Sequence, residues 1–315
     1  MSQPLVSAIL PARNRAAWIA RAIDSVLAQT YPAVELIVID DGSTDDTAHI
    51  LDRYGARIVR VRGDWRNAYA ARNAGIAHAR GDLLALIDSD DRWSPERLAR
   101  QMPKLARPAV GLVYGDTRHV TGPPSALAPT GGTSFATTAP RRGRVHAAFV
   151  WGNFVPTITV LVRRGALAAA GGFDERSSLG ADYGAWVAIA RDYELDYCDE
   201  AVADYTIHAS GISFDLARSL SARMDVFARA LGSADEGRER RVLQRLLCYL
   251  ALHLAIAWGR GRSASVPDAP ALAWRTIRRH GGIRALPWAV AFAYHHSLAR
   301  ATRLRRTRRA AGAEE

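Results

Sequence analysis

Five short apolar segments with helical patterns between them restrict the folds available to the first half of the chain. They are VSAIL (6–10), ELIVID (35–40), ARIVRV (56–61), DLLALID (82–88) and VGLVYG (110–115). Each is rich in apolar and β-branched residues without a strict alternation, which is typical of strands buried on both faces. The order of segments therefore predicts an α/β domain whose parallel sheet is sandwiched by helices.

The composition is that of a folded globular protein, since 49% of the 315 residues are hydrophobic. The two cysteines, Cys198 and Cys248, stand in no metal-binding or redox motif, so we expect reduced thiols and no structural zinc. The N-terminal segment lacks the pattern of a signal peptide, and the apolar run at 246–258 is too short to span a bilayer. These features predict a cytoplasmic protein.

Basic charge is concentrated at the C-terminal end of the chain. Residues 216–315 hold 19 arginines and 7 acidic residues, which accounts for all of the net charge of +11. We therefore predict a near-neutral domain over 1–215 and a helical, arginine-rich annex over 216–315. The segment at 121–134, rich in Gly, Pro, Ser and Thr, is predicted to be a flexible loop.

Polar residues follow three of the predicted strands, at 11–15, 40–43 and 88–91. In parallel sheets ligands bind beyond the carboxyl ends of the strands, so these residues are expected to line one crevice. The sequence LIDSDD places Asp88, Asp90 and Asp91 within four positions, where repulsion and desolvation both raise the cost of burial. Either a cation neutralises these carboxylates or they cap the following helix.

The chain resembles the family-2 glycosyltransferases of the GT-A fold over about residues 4–215. The resemblance is carried by VSAILPARNRAAWI, VIDDGSTDDT, RNAYAARNAGI, LIDSDD and GGFDE with a downstream Asp182. It implies a GT-A nucleotide-binding sheet and an inverting sugar transfer from a nucleotide-sugar donor, assisted by Mn²⁺ or Mg²⁺. Carboxylate and phosphate oxygens are hard ligands that suit these cations.

The resemblance assigns the residues of the donor side. Asp90 is the expected metal ligand, with Asp88 in support and His208 facing the metal or diphosphate, while Asp91 or Ser94 remains a candidate helix cap. Asp41 matches the carboxylate that reads a uracil or thymine ring. The full set assigned to the donor is Pro11, Arg13, Asp41, Asn67, Arg72, Asp88 and Ser89. Arg13 departs from the family's usual tyrosine and would stack on the base through its guanidinium face.

On the acceptor side, the resemblance assigns the general base to Asp182, which takes the proton from the attacking hydroxyl. The family often has glutamate where this chain has Ala181, and an N-cap of the following helix is the alternative role for Asp182. Trp151, Asn153 and Thr157 are candidates for contact with an acceptor sugar.

The annex predicts contact with an anionic membrane surface through its arginine-rich end. These arginines are Arg300, Arg303, Arg305, Arg306, Arg308 and Arg309. Helices with apolar and arginine-rich faces bind such surfaces peripherally, and would bring the domain to a lipid-linked acceptor on the inner face of the cell membrane. No motif for nucleic-acid binding accompanies the arginines. A solvated tail, with helices packed on the domain or a second subunit, is the alternative.

Together these features predict an inverting transferase that moves a sugar from a UDP- or dTDP-linked donor to a saccharide or lipid-linked glycan in envelope polysaccharide synthesis. A sugar nucleotidyltransferase is a second hypothesis, but LPARNRAA lacks the glycine-rich phosphate loop that it needs. A catalytically inert, membrane-docked partner of the same fold is the third. Donor sugar, acceptor, linkage and oligomeric state are not encoded in these motifs.

Overall fold

The structure is a computed structural model that describes residues 3–177, 179–208, 216–233, 238–259, 266 and 268–280. The chain divides into two compact units, Met1–Gly211 and Ile212–Glu315.

The first unit is a mixed sheet with helices around it. The strands are β1 (Val6–Ala12), β2 (Val34–Asp41), β3 (Val59–Gly63), β4 (Leu83–Leu86), β5 (Arg92–Trp93), β6 (Val110–Thr121), β7 (Ala128–Thr133), β8 (Leu161–Arg163) and β9 (Glu194–Ile207). The helices are α1 (Ile19–Leu27), α2 (Thr47–Asp52), α3 (Ala68–Ala77), α4 (Arg97–Gln101), α5 (Ser134–Thr137), α6 (Arg164–Ala169) and α7 (Ala181–Asp192).

The strands lie in the order β3-β2-β1-β4-β8-β6-β9-β5, with β7 paired to the far half of β6. The first four strands are parallel, as the apolar runs predict, whereas β8 runs antiparallel to both β4 and β6. The five predicted strands therefore all run in the same direction, since the direction reverses twice between β4 and β6, through β8, and β9 also pairs parallel to β6. Only the half β3-β2-β1-β4 is wholly parallel. Strand β1 pairs with β2 on one side and with β4 on the other. The chain connections at the carboxyl ends of these strands therefore run to opposite sides of β1, which opens a crevice between them.

Four of the five apolar runs form strands whose side chains are mostly buried on both faces, whereas the edge strand β3 is only half-buried or exposed. All seven residues of β1 and all four of β4 are buried, and their core is shared with the apolar face of α1. The run predicted at 56–61 begins later as a strand, since Gly55–Arg57 forms a 3₁₀ turn. The segment predicted as a flexible loop at 121–134 instead contains β7.

The second unit is helical, with α8 (Leu216–Ser233), α9 (Arg238–Gly259) and α10 (Ala269–His280). In α9, packed against both other helices, Leu243, Leu247, Leu250 and Leu254 are buried at helical spacing. None of the helices in the described ranges carries an apolar stretch long enough to cross a membrane. The arginines from 300 onward, to which the membrane contact was assigned, lie outside the described residues.

Candidate active site

The end of β2 presents two buried carboxylates with different tasks. Asp40 accepts hydrogen bonds from the Ser43 N–H (3.0 Å) and from Arg60 (2.9 Å). Burial alone would raise the pKa of Asp40, but these bonds outweigh it and lower the pKa. Asp40 therefore stabilises the turn after the strand. Asp41 lies beside the crevice, where its Oδ1 accepts the N–H groups of Trp65 (2.5 Å) and Arg66 (2.9 Å).

Arg13 lies next to Asp41. Its guanidinium donates to the main-chain oxygen of Asp41 (2.8 Å) and to Asp64 (3.1 Å), and its side chain is 38% exposed. The preceding Pro11 is buried in β1, opposite Ile39 of β2. The structure thus brings Pro11, Arg13 and Asp41 together, as predicted. A guanidinium plane fixed by two hydrogen bonds is a suitable surface for stacking a planar base.

The four residues after Ile87 form a tight turn, in which the N–H of Asp91 donates to the Asp88 carbonyl (3.2 Å). Asp88 is paired with Arg72, whose side chain is 8% exposed, and Ser89 is buried between the two aspartates of the DxD sequence. Asp90 has a different partner, since its Oδ2 lies 3.0 Å from the Nε2 of His208.

Asp91 has a structural role that differs from capping. Its carboxylate is 2% exposed and accepts the N–H of Thr206 in β9 (2.7 Å). The threonine hydroxyl donates to the Asp90 carbonyl (2.6 Å). Helix α4 begins without a side-chain cap, so neither Asp91 nor Ser94 caps it. These two hydrogen bonds fasten the turn to β9, the strand that leads to His208.

The crowded turn fits a hard divalent cation. Burial and the nearby charge of Asp90 raise the pKa of Asp88, and burial with the charges of Asp90 and Asp88 raises that of Asp91 well above its ordinary value. A cation bound at Asp88 and Asp90 would relieve this repulsion. Within the described part of the chain no three His, Cys, Asp or Glu residues are arranged as a metal cage. Mg²⁺ and Mn²⁺ commonly take one or two carboxylates and complete their shell with phosphates and water.

His208 is stacked on Trp18 of the segment before α1, with ring centroids 5.3 Å apart. A guanidinium also approaches Asp90, since a nitrogen of Arg15 lies 3.9 Å from its Oδ2. Arg15 and Trp18 were not assigned from the sequence, although both lie in the quoted motif PARNRAAW. Metal ligation by His208 stays a prediction.

Helix α3 connects the donor side with the GGFDE loop. Asn67 caps it, accepting from the N–H groups of Tyr69 (2.8 Å) and Ala70 (3.3 Å), and donates to main-chain oxygens of Glu175 and Ser177. The side-chain amide assigned to the donor is therefore engaged within the protein, and Asn67 acts as a cap and loop anchor.

Asn73 holds the same loop from the next turn of α3. Its amide binds both the N–H (3.1 Å) and the carbonyl (2.8 Å) of Phe173, and it donates to Glu175 (2.8 Å). The turn before these residues requires glycine at Gly171 and Gly172, with φ of 85° and 70°. Thus Arg72 and Asn73, adjacent in sequence, reach the DxD turn and the GGFDE loop respectively.

Asp182 lies in the first turn of α7, whose N-cap is Gly180 in a left-handed conformation. The capping alternative for Asp182 is therefore wrong. Its Oδ1 accepts the Tyr69 hydroxyl (3.3 Å) and the N–H of Tyr183 (2.8 Å), and its Oδ2 accepts the hydroxyl of Thr157. Tyr69 lies beside Arg72, the arginine that binds Asp88, so neighbouring side chains of α3 contact both carboxylates.

The other acceptor candidates behave differently. Thr157 contacts Asp182, whereas Asn153 is exposed and accepts the N–H of Val155 (3.0 Å). The side chain of Trp151 lies outside the described residues. Tyr69 was missed by the sequence analysis. Its position, one helical turn before Arg72 on the same face, was the available signal.

The family model "Glycosyl transferase family 2" matches residues 7–167, so the chain belongs to this family. Over 118 residues it is 36% identical to the Escherichia coli protein "UDP-Glc:alpha-D-GlcNAc-diphosphoundecaprenol beta-1,3-glucosyltransferase WfgD", which covers 37% of this chain and 47% of that protein. It is 38% identical over 104 residues to the "Putative teichuronic acid biosynthesis glycosyltransferase TuaG" of Bacillus subtilis, and the match covers 32% of this chain and 41% of that protein. The chain thus matches less than half the length of these relatives.

Solved structures show the same fold. TarS of S. aureus in complex with UDP superposes with a TM-score of 0.63 at 17% identity, covering 89% of this chain and 82% of that one. The mannosyltransferase PcManGT of Pyrobaculum calidifontis, in complex with GDP-Man and Mn²⁺, gives a TM-score of 0.57 at 20% identity, covering 96% and 87%. The predicted family and GT-A fold are confirmed.

Proposed function

We propose that this protein is an inverting, metal-assisted glycosyltransferase that moves a sugar from a UDP- or dTDP-linked donor to a saccharide or lipid-linked glycan of the cell envelope. The observation that carries the proposal is that one face of α3 contacts both carboxylates: Arg72 binds Asp88 of the DxD turn, and the hydroxyl of Tyr69 donates to Asp182. Single displacement needs these two groups at opposite ends of the breaking and forming bonds.

The nucleobase proposed for the donor is inferred from the hydrogen bonds that Asp41 already makes. Its Oδ1 accepts two main-chain N–H groups, and within the described residues no hydrogen bond reaches its Oδ2. One carboxylate oxygen is thus left for one ring N–H, which is what uracil and thymine offer. Guanine presents two parallel N–H donors that suit a carboxylate with both oxygens available. The geometry therefore favours UDP or dTDP over GDP.

In this proposal Asp90 and Asp88 would hold the divalent cation, which would supply positive charge to the diphosphate leaving group. Arg72, paired with Asp88 at the same turn, keeps that carboxylate aimed at the crevice. Asp182 accepts the proton of the attacking acceptor hydroxyl as its oxygen bonds to the anomeric carbon. The bond between that carbon and the phosphate oxygen breaks on the opposite face, and its electron pair leaves with the nucleoside diphosphate.

The proposed acceptor class is supported by the relatives, whose names refer to a diphosphoundecaprenol-linked sugar and to teichuronic acid. A lipid-linked acceptor requires the enzyme to reach a membrane surface. On α10, Trp274 is 61% exposed, and Arg275, Arg278 and Arg279 are exposed with no acidic residue in the helix. We propose that this face, with the arginines from 300 onward, contacts anionic lipid.

Transfer is tested with a panel of nucleotide sugars, following nucleoside diphosphate release with Mn²⁺ or with chelator. We expect release from a UDP- or dTDP-sugar only with the metal, and its loss in Asp90→Asn. Asp174→Asn is the matched control, because Asp174 lies in the GGFDE motif but pairs with Arg176. Full release by Asp90→Asn would contradict the role of this turn, and an inactive wild type would favour the inert alternative.

The membrane contact is tested by flotation with anionic or neutral liposomes. Wild type is expected to float only with anionic vesicles, and to be released by high salt. Replacing Arg275, Arg278 and Arg279 with Gln should weaken flotation, as should truncation before Arg300. Equal flotation of all three proteins would contradict arginine-driven docking.

A further inference from the structure

The carboxylate of Asp182 is held by hydroxyl groups from two distant parts of the chain. Tyr69 of α3 donates to one oxygen (3.3 Å) and Thr157, from the 3₁₀ turn Thr157–Thr159, donates to the other. The direction of the tyrosine proton is fixed, because the same hydroxyl oxygen accepts the N–H of Gly180 (2.9 Å). With that lone pair engaged, its single hydrogen points to Asp182.

We propose that Tyr69 and Thr157 are positioning residues that hold the Asp182 carboxylate in the orientation needed for proton removal from the acceptor. This inference rests on the proposed function, in which Asp182 is the general base. A base works only when its oxygen is directed at the proton it removes, and a carboxylate at the start of a helix rotates unless hydrogen bonds hold it.

The side chain that precedes Asp182 contributes no donor to its carboxylate, because residue 181 is a buried alanine. The main-chain N–H of Tyr183 fixes only one carboxylate oxygen. Thr157 fixes the second, so the plane of the carboxylate is defined by donors on both sides.

Tyr69 is suited to donate throughout the working pH range. The ring is 6% exposed, and burial followed by the charge of Asp182 raises the pKa of its hydroxyl. It stays protonated, and therefore remains a donor rather than a competing base.

The same tyrosine connects the two halves of the site. Arg72 lies one turn further along α3, and its guanidinium carbon is 5.4 Å from the centre of the Tyr69 ring. Arg72 in turn binds Asp88 of the DxD turn. One helix face thus holds both the donor-side carboxylate and the base, which fixes their separation.

The test compares Tyr69→Phe and Thr157→Val with Thr157→Ser and Tyr183→Phe in steady-state transfer assays. Tyr183→Phe is a matched control, because this buried hydroxyl lies next to Asp182 in sequence but donates to the Phe149 carbonyl. We expect kcat to fall roughly tenfold in Tyr69→Phe and in Thr157→Val. Thr157→Ser should restore kcat, and Tyr183→Phe should leave it near wild type.

Donor binding and the acceptor KM separate positioning from binding. Calorimetry with UDP and Mn²⁺ should give wild-type affinity in all four variants, and the acceptor KM should change less than twofold. If Thr157→Val raises the acceptor KM and leaves kcat intact, Thr157 binds the sugar and the inference is overturned. Equal losses in Tyr183→Phe would also overturn it, since they would reflect general packing.

Failure of this inference can be distinguished from failure of the proposed function. If Asp182→Asn abolishes transfer while Tyr69→Phe and Thr157→Val retain full kcat, only the positioning role is rejected. If Asp182→Asn itself retains full kcat, the base assignment is rejected with it. Thermal unfolding of each variant identifies any that are misfolded, and Thr157→Ser, which keeps the hydroxyl, then decides the result for Thr157.

Discussion

The donor side and the acceptor side of the crevice hold their carboxylates by different means. On the donor side, Asp41 and Asp88 follow strands of the parallel half of the sheet, and they are fixed by main-chain N–H groups or by an arginine. On the acceptor side, Asp182 sits on a helix and is fixed partly by hydroxyl groups 113 and 25 residues away. Strand ends thus position the donor ligands, whereas long-range side-chain contacts position the base.

The largest difference between the two sides is expected for Asp182→Asn. This substitution keeps the shape of the Asp182 side chain but removes its ability to take a proton. We expect transfer to fall by about 10²–10⁴-fold, the usual contribution of general base catalysis. Affinity for UDP with Mn²⁺ should remain at the wild-type value. Rate measurements and calorimetry on one preparation check both, and a parallel loss of UDP affinity would show that the two sides are not independent.

The reverse case is Asp41→Asn on the donor side. The amide oxygen can still accept the main-chain N–H groups of Trp65 and Arg66, but an NH₂ group replaces the oxygen predicted to face the nucleobase of the donor. UDP affinity should fall roughly 10–100-fold, the loss of one hydrogen bond to a charged group. With saturating donor, kcat should recover. Unchanged UDP affinity measured by calorimetry would contradict the proposed contact between Asp41 and the nucleobase.

The smallest effect is expected for Glu35, a buried carboxylate at the opposite end of β2 that belongs to neither side. It accepts from the Ser7 hydroxyl (2.6 Å) and from the N–H and Nε of Arg80 (both 2.7 Å). Glu35→Gln should lower the free energy of unfolding at neutral pH by about 1–2 kcal/mol. Kinetic constants and UDP affinity should be unaffected.

The stability lost in Glu35→Gln is expected to decrease as the pH falls. Burial alone would raise the pKa of Glu35, but the bonds from Ser7 and Arg80 outweigh it, so the folded pKa lies below 4.5. The contribution of the carboxylate is therefore present above pH 4.5 and disappears as the pH falls through the folded pKa. Denaturant unfolding of wild type and Glu35→Gln between pH 7 and 3 should show the difference in their free energies of unfolding becoming smaller. A difference that stays constant over this range would contradict the role of the Glu35 carboxylate.

The position of the donor-side carboxylates at strand ends is predictable from the sequence because the signals for it are local. Asp41 and the 88–91 turn each follow directly after a buried strand, and parallel strands bring their carboxyl ends together whatever the details of packing. The role of Asp91 was not predictable, because its partner Thr206 lies 115 residues away in β9.

Prediction is weaker where a residue type has two common uses. Asn67 fits both a donor contact and a helix cap, and only the four hydrogen bonds of its amide show the second. The segment at 121–134 has the composition of a loop, yet pairing with β6 makes part of it a strand. Tyr69 and Thr157 are assigned to the base only by contacts that tertiary folding creates.

The central claim is that the turn at 88–91 binds a donor diphosphate through a divalent cation. Calorimetry of UDP binding to wild type and Asp90→Asn, each with Mn²⁺ and with chelator, tests it directly. We expect Mn²⁺ to tighten binding to wild type at least tenfold, and to have little effect on Asp90→Asn, with both proteins equal in chelator. An equal gain from Mn²⁺ in the two proteins, or none in wild type, would contradict the claim.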